Sequence, residues 1–69
     1  MNMVPVTSSN LVAVGYDESS KDLVIRFNSG TYVYYGVPTY VYTELLNAPS
    51  KGSYHHLNIK NKYPFKKID

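Results

Sequence analysis

The residues with most chemistry to offer in this 69-residue sequence are grouped at Ser50-Lys51-Gly52-x-Tyr54. If Ser50 opens a helix, its hydroxyl, the first free backbone N–H groups and the Lys51 ammonium converge on one point, and such a point can hold an anion. The same residues also read as an ordinary helix cap beside a solvated lysine. They are not a Walker loop, which requires two glycines at fixed spacing ahead of Lys-Ser/Thr. A second pattern is aromatic. Tyr32 and Tyr34 alternate along a strand and so share one face, whereas Tyr35 falls on the other with Val33. Rings on a sheet flanked by lysines bind single-stranded nucleic acid, because any base can stack and any phosphate attracts a cation. Tyr32, Tyr34, Tyr54 and Tyr63 with Lys51, Lys60 and Lys62 contain both components. The same tyrosines would serve equally as core and cross-strand packing.

Catalytic patterns are mostly missing. Nucleophilic catalysis needs a nucleophile with a base and an orienting group, and no Gly-x-Ser-x-Gly elbow presents Ser8, Ser9 or any other serine to His55 or His56. Asp17, Glu18 and Asp22 suit a solvated turn better than an acid and base pair. His55 and His56 are neighbours, so they diverge by about a hundred degrees on a helix and point to opposite faces of a strand. They make a poor start for a metal site, and one is expected to face the core and the other the solvent. No catalysis, cofactor or metal is expected.

The elements that must position these residues follow from pattern and punctuation. Leu11 to Tyr16 is a short apolar run entered from the polar cluster Thr7-Ser8-Ser9-Asn10. Leu23-Val24-Ile25-Arg26-Phe27 alternates, with Leu23, Ile25 and Phe27 on one face. Asn28-Ser29-Gly30 signals a tight turn into Thr31-Tyr32-Val33-Tyr34-Tyr35, so these two runs form a hairpin. Pro38 suits the first turn of a helix whose Val41, Leu45 and Ala48 lie on one side with Tyr42 and Leu46 adjacent. Pro49 interrupts it, and Ser50 can cap a second short helix that Gly52 weakens. Beyond it, Pro64 excludes a regular helix, and Ile59, Tyr63, Phe65 and Ile68 look like anchors for an extended segment. The expected fold is therefore α+β: a three-stranded antiparallel sheet over about 10–17, 22–28 and 31–36, a helix over about 38–47, a short second helix over about 50–57, and an extended basic tail.

Length and charge bound the function. The whole chain, residues 1–69, is expected to serve one small core, held by packing rather than by disulfides, since it has no cysteine. Residues 1–48 carry Asp17, Glu18, Asp22 and Glu44 against Lys21 and Arg26, a net −2. Residues 49–69 carry Lys51, Lys60, Lys62, Lys66 and Lys67 against Asp69, a net +4. Such asymmetry points to an anionic partner, and it is also a common way to keep a small protein in solution. No stretch has the length of a membrane span and Met1 to Val6 lacks the regions of a signal peptide, so the expected location is the cytoplasm, away from membranes.

Several blocks in one order resemble a known family, the KTSC domain, which is similar to a C-terminal domain appended to some lysyl-tRNA synthetases. The blocks are Ser8-Ser9-Asn10, Val14-Gly15-Tyr16-Asp17, Tyr32-x-Tyr34 leading to Gly36-Val37-Pro38, and Ser50-Lys51-Gly52-x-Tyr54 followed by Ile59 and Tyr63. The resemblance runs from about Val6 to Ile68. It implies a small bacterial or phage protein without catalysis, and RNA binding has been suggested for the family. The sequence departs from the family pattern after Tyr54, where His55-His56-Leu57-Asn58 and Lys60-Asn61-Lys62 occupy places that often carry arginine. Lysine keeps the charge but lacks the planar, bidentate guanidinium.

The residues and the resemblance together favour a non-catalytic module that binds RNA, a nucleotide or a similar anion. Its expected binding residues are Ser50, Lys51, Gly52, Tyr54, Lys60, Lys62 and Tyr63, with Tyr32 and Tyr34 for stacking. The alternatives are a protein-interaction module, binding a host protein or a second copy through exposed tyrosines, and a protein that sequesters a small ligand or nucleotide.

Overall fold

The computed structural model describes residues 2–69. A five-stranded antiparallel meander, in the order β1-β2-β3-β4-β5, carries two helices. The strands are β1 (Val4–Pro5), β2 (Leu11–Asp17), β3 (Asp22–Phe27), β4 (Gly30–Tyr34) and β5 (Phe65–Lys67), and the helices are α1 (Thr39–Asn47) and α2 (Lys51–Asn58). The α+β class, the three central strands and both helices follow the sequence expectation within about two residues at each boundary.

Two expectations are corrected. The sheet has five strands instead of three, and residues 65–67 of the expected extended basic tail form its edge strand. β5 pairs with β4 through Tyr32↔Lys67, Val33↔Lys66 and Tyr34↔Phe65, and Ile68 N donates to Thr31 O at 2.9 Å just beyond it. β1 pairs with β2 through Val4↔Val14 and Pro5↔Ala13. Both added strands are short edges, one holding a proline and the other two lysines, the devices by which sheets avoid further pairing.

Register decides which residues face the helices. Leu23↔Tyr34 and Ile25↔Tyr32 place both tyrosines on the same face as Leu23 and Ile25. A register irregularity between Leu11 and Ala13 then sets Val14 and Tyr16 opposite Ile25 and Leu23 on that face. The core joins these residues to Val41 and Leu45 of α1 and to Val37 and Ile59, all fully or almost fully buried. The opposite sheet face carries Ala13, Gly15, Val24, Arg26, Thr31 and Val33. No described helix is long and apolar enough to cross a membrane.

Local chemistry explains the punctuation. Asp17 Oδ1 accepts from the Ser19 N–H at 3.0 Å and the Ser19 hydroxyl at 2.7 Å, which closes the β2–β3 turn and holds the Asp17 carboxyl below its usual range. Lys21 completes that turn at φ 59°, a conformation that an L side chain rarely takes. Gly36 leaves β4 at φ 70°, where glycine is unstrained. α1 stops at Ala48, whose N–H donates to Leu45 O, because Pro49 follows.

Candidate functional site

Four aromatic side chains of the sheet and one of α2 enclose a cleft at the β5 end of the helix-bearing face. Phe27 closes β3, Tyr32 and Tyr34 alternate along β4, and Phe65 enters opposite Tyr34 from β5. Their rings and His55 form a closed circuit in which each touches the next. Phe27 meets Tyr32 at 5.7 Å between centroids, Tyr32 meets Phe65 at 6.0 Å and Phe65 meets Tyr34 at 5.6 Å. Tyr34 then meets His55 edge-to-face at 5.5 Å, and His55 returns to Phe27 at 4.8 Å. The space they line is about 270 Å³, and Ser29 and Lys60 complete its wall.

The electrostatics of the cleft are set by burial. His55 Nε2 lies 2.7 Å from Tyr34 Oη, deep enough that neither group ionises near neutral pH. Desolvation, with smaller contributions from Lys60 and His56, pushes the imidazole down to about 4. Desolvation, with a smaller contribution from Tyr32, pushes the Tyr34 phenol up to about 12. The formal charge in the cleft at neutral pH is therefore that of Lys60, which is exposed to solvent. A neutral aromatic chamber with one ammonium at its wall suits a flat ring bearing a nearby anion.

Seven of the nine sequence-predicted residues divide between two places. Tyr32, Tyr34 and Lys60 come together in the cleft. Ser50, Lys51, Gly52 and Tyr54 instead build the junction of the two helices. Ser50 caps α2, its hydroxyl accepting from Ser53 N at 3.3 Å, and the Lys51 ammonium turns back to donate to Ala48 O at 3.2 Å. Gly52 faces the loop before β2 so closely that a Cβ there would stand 2.7 Å from Asn10 Oδ1. Ser8-Ser9-Asn10 and Ser50-Lys51-Gly52, separate blocks in the sequence, thus meet in space.

Tyr54 donates its hydroxyl to Glu44 Oε1 at 2.6 Å, and burial together with that carboxylate pushes the phenol up to about 12. Tyr63 packs on the core beside it, with its phenol raised by burial and by Tyr40. Lys62 is exposed and lies outside the cleft wall. Phe27, Ser29, His55 and Phe65 were missed by sequence reasoning. A signal for His55 existed: it lies four residues from both Lys51 and Ile59, on the side of α2 that turns inward. His55 is buried and His56 exposed, the opposed environments expected of adjacent histidines. Among the described residues no group of three His, Cys, Asp or Glu side chains could hold a metal ion.

Comparisons with known proteins agree on one family. A family model described as KTSC domain matches residues 7–63. The chain is similar to the crystal structure of a KTSC domain protein from Yersinia pestis, with a TM-score of 0.96 and 38% identity, covering 99% of this chain and 97% of that one. It is 42% identical over 62 residues to a protein of Tsukamurella paurometabola, spanning 88% of this chain and 92% of that relative. It is also 43% identical over 54 residues to a lysine–tRNA ligase of Trichormus variabilis, spanning 77% of this chain but 10% of that enzyme.

Proposed function

The chain belongs to the KTSC domain family, and from that premise we propose that it is a non-catalytic module that binds RNA or a nucleotide, with a base in the aromatic cleft and a phosphate at Lys60. The observation that carries this reading is the closed circuit of five rings with a single ammonium on its wall. A base is flat and polarisable and stacks on such rings, and the phosphate attached to it is drawn to the lysine. Similarity to a segment of a lysine–tRNA ligase supports an RNA context. Lys62 and Tyr63 follow Lys60 closely in the chain, and Lys62 adds positive charge to the same segment. Ser50, Lys51, Gly52 and Tyr54 act in this reading by holding α2, and through it His55, in place.

Fluorescence titration of labelled single-stranded RNA at low and moderate salt tests the proposal. Binding should weaken as salt rises, and Lys60→Ala should weaken it at every sequence and reduce the salt slope by about 1. No binding at low salt, or unchanged binding by both Lys60→Ala and Phe65→Ala, would overturn it.

A second reading, a protein-interaction module or homodimer, is favoured by Tyr40 and Leu57, which are 62% and 67% exposed on the helices. A light-scattering concentration series separates the two: persistent self-association without affinity for RNA supports the second. Sequestration of a free nucleotide shares the cleft chemistry and would appear as thermal stabilisation by mononucleotides with no gain from longer strands.

A further inference from the structure

Resting on that reading of the cleft, we infer that the domain holds one unstacked nucleotide at a time and is not a platform for a run of bases. Single-strand binders that track several nucleotides present a row of rings along an open groove or sheet face. Here the sheet face free of helices carries Ala13, Gly15, Val24, Arg26, Thr31 and Val33, and among the described residues paired in β2, β3 and β4 none on this face is aromatic; Tyr35, just past β4, is a lone ring and makes no row. Tyr32 and Tyr34 lie on the other face, where they are enclosed by His55 and Phe65. Their rings are walls of a chamber.

The remaining tyrosines do not extend the chamber. Tyr16 stacks on Tyr42 at 5.1 Å and donates its hydroxyl to Val37 O, so both rings are spent on the α1 side of the core. Tyr54 is committed to Glu44, and Tyr63 packs against the core outside the cleft wall. Tyr35 and Tyr40 are exposed, and neither forms a stacked or edge-to-face pair among the described residues. The cleft itself, at about 270 Å³, is below the usual range of small-molecule pockets and suits one ring system. One lysine on its wall matches one phosphate.

The ligand chemistry is thus one base with its adjoining phosphate. That group is offered by a free mononucleotide, by the end of a strand, or by a base turned out of a loop.

The test is a length series. Adenosine 5′-monophosphate and oligoadenylates of three, six and twelve nucleotides are titrated at one low salt concentration, with the corresponding oligouridylates beside them. The dissociation constant should level off by the trinucleotide and then fall only in proportion to the number of available nucleotides, about fourfold from three to twelve. Phe65→Ala, a change at a residue 54% exposed and so tolerated by the fold, should weaken every length by the same factor, about 5- to 140-fold. Lys60→Ala, also exposed, should do the same for every ligand with a phosphate. A trinucleotide that binds no more than about threefold tighter than the monophosphate, the statistical factor alone, identifies the free nucleotide as sufficient, whereas a larger gain identifies a strand.

A fall of a hundredfold or more between three and six nucleotides would overturn the inference and leave the functional reading standing. Binding that ignores both variants would place the ligand elsewhere and overturn the inference as well. Absence of binding at every length would sink the functional reading itself.

Discussion

Acidification should destabilise this domain through one imidazole, and the size of the effect can be worked from its surroundings. His55 is buried beside Phe27, with Nε2 at 2.7 Å from Tyr34 Oη, and its pKa falls from 6.5 to about 4 on folding. The unfolded chain therefore binds the proton more tightly. Stability is intact above the unfolded value and is lost as pH falls from about 6.5 toward about 4, at which point further loss from this group ceases. A shift of this size corresponds to a cost on the order of 3 kcal/mol, most of it incurred by about pH 4.5. For a domain of this length, whose whole stability is expected to be roughly 3–10 kcal/mol, that is a large share. The Asp17 carboxyl, lowered by its bonds from Ser19, contributes in a separate window, lost as pH falls below 3.8. His55→Phe isolates the effect, because the ring packing is kept and the titration removed. At neutral pH the variant loses the bond to Tyr34 and should be less stable by about 1–2 kcal/mol. On acidification the wild type loses stability and the variant does not, so their urea unfolding free energies should cross near about pH 5.5. Parallel curves between about pH 7.5 and pH 4.5 would refute the reasoning, since they would mean that His55 is solvated in the folded state.

Other perturbations follow from particular contacts. Gly52→Ala should lower the melting temperature despite alanine's better helix propensity, because its Cβ meets Asn10 Oδ1 at 2.7 Å. Adding Asn10→Ala should restore up to about 1 kcal/mol, a coupling that a double-mutant cycle by thermal unfolding would expose. Ile59→Ala, at a fully buried core position, should cost about 2–5 kcal/mol in urea unfolding. Tyr16→Phe keeps the stack on Tyr42 but leaves Val37 O without its phenol donor, and a loss of about 1 kcal/mol is expected. Truncation after Pro64 removes β5 and bares the β4 edge, so it should produce self-association detectable by light scattering.

Much of the fold was legible because it is written in local pattern. Leu23, Ile25 and Phe27 alternate and Asn28-Ser29-Gly30 turns, so the β3–β4 hairpin was within reach. Pro38, Pro49 and Ser50 punctuate the helices just where α1 and α2 begin and end. The two edge strands were not legible. Val4–Pro5 holds a proline, and Phe65–Lys67 is too short to alternate, so each exists only through the pairing of its neighbour. The fate of the basic segment depended on that pairing, which converts Phe65 from a tail residue into a wall of the cleft.

The candidate site was half visible for the same reason. Tyr32 and Tyr34 stood out by alternation, but that the face they share with Leu23 and Ile25 is the one packed against Val41, Leu45 and Ile59 is a long-range fact. Once that packing is set, they lie beneath α2 and cannot form an open stacking platform. His55 could have been found from its spacing to Ile59, which puts an imidazole on an apolar helix face. At the anion point expected at Ser50 and Lys51, the serine hydroxyl accepts from Ser53 N and the Lys51 ammonium donates to Ala48 O, so both groups have partners within the helix junction.

The most direct test of the cleft as a binding site is a residue-by-residue NMR titration of the labelled protein with a single-stranded oligoadenylate of three nucleotides. Resonances of Tyr32, Tyr34, His55, Lys60 and Phe65 should shift together and saturate at one ligand per chain, while Val24 and Val33 on the opposite sheet face stay in place. Shifts confined to that opposite face, or to Ser50 and Lys51, with the cleft residues unmoved, would contradict the account.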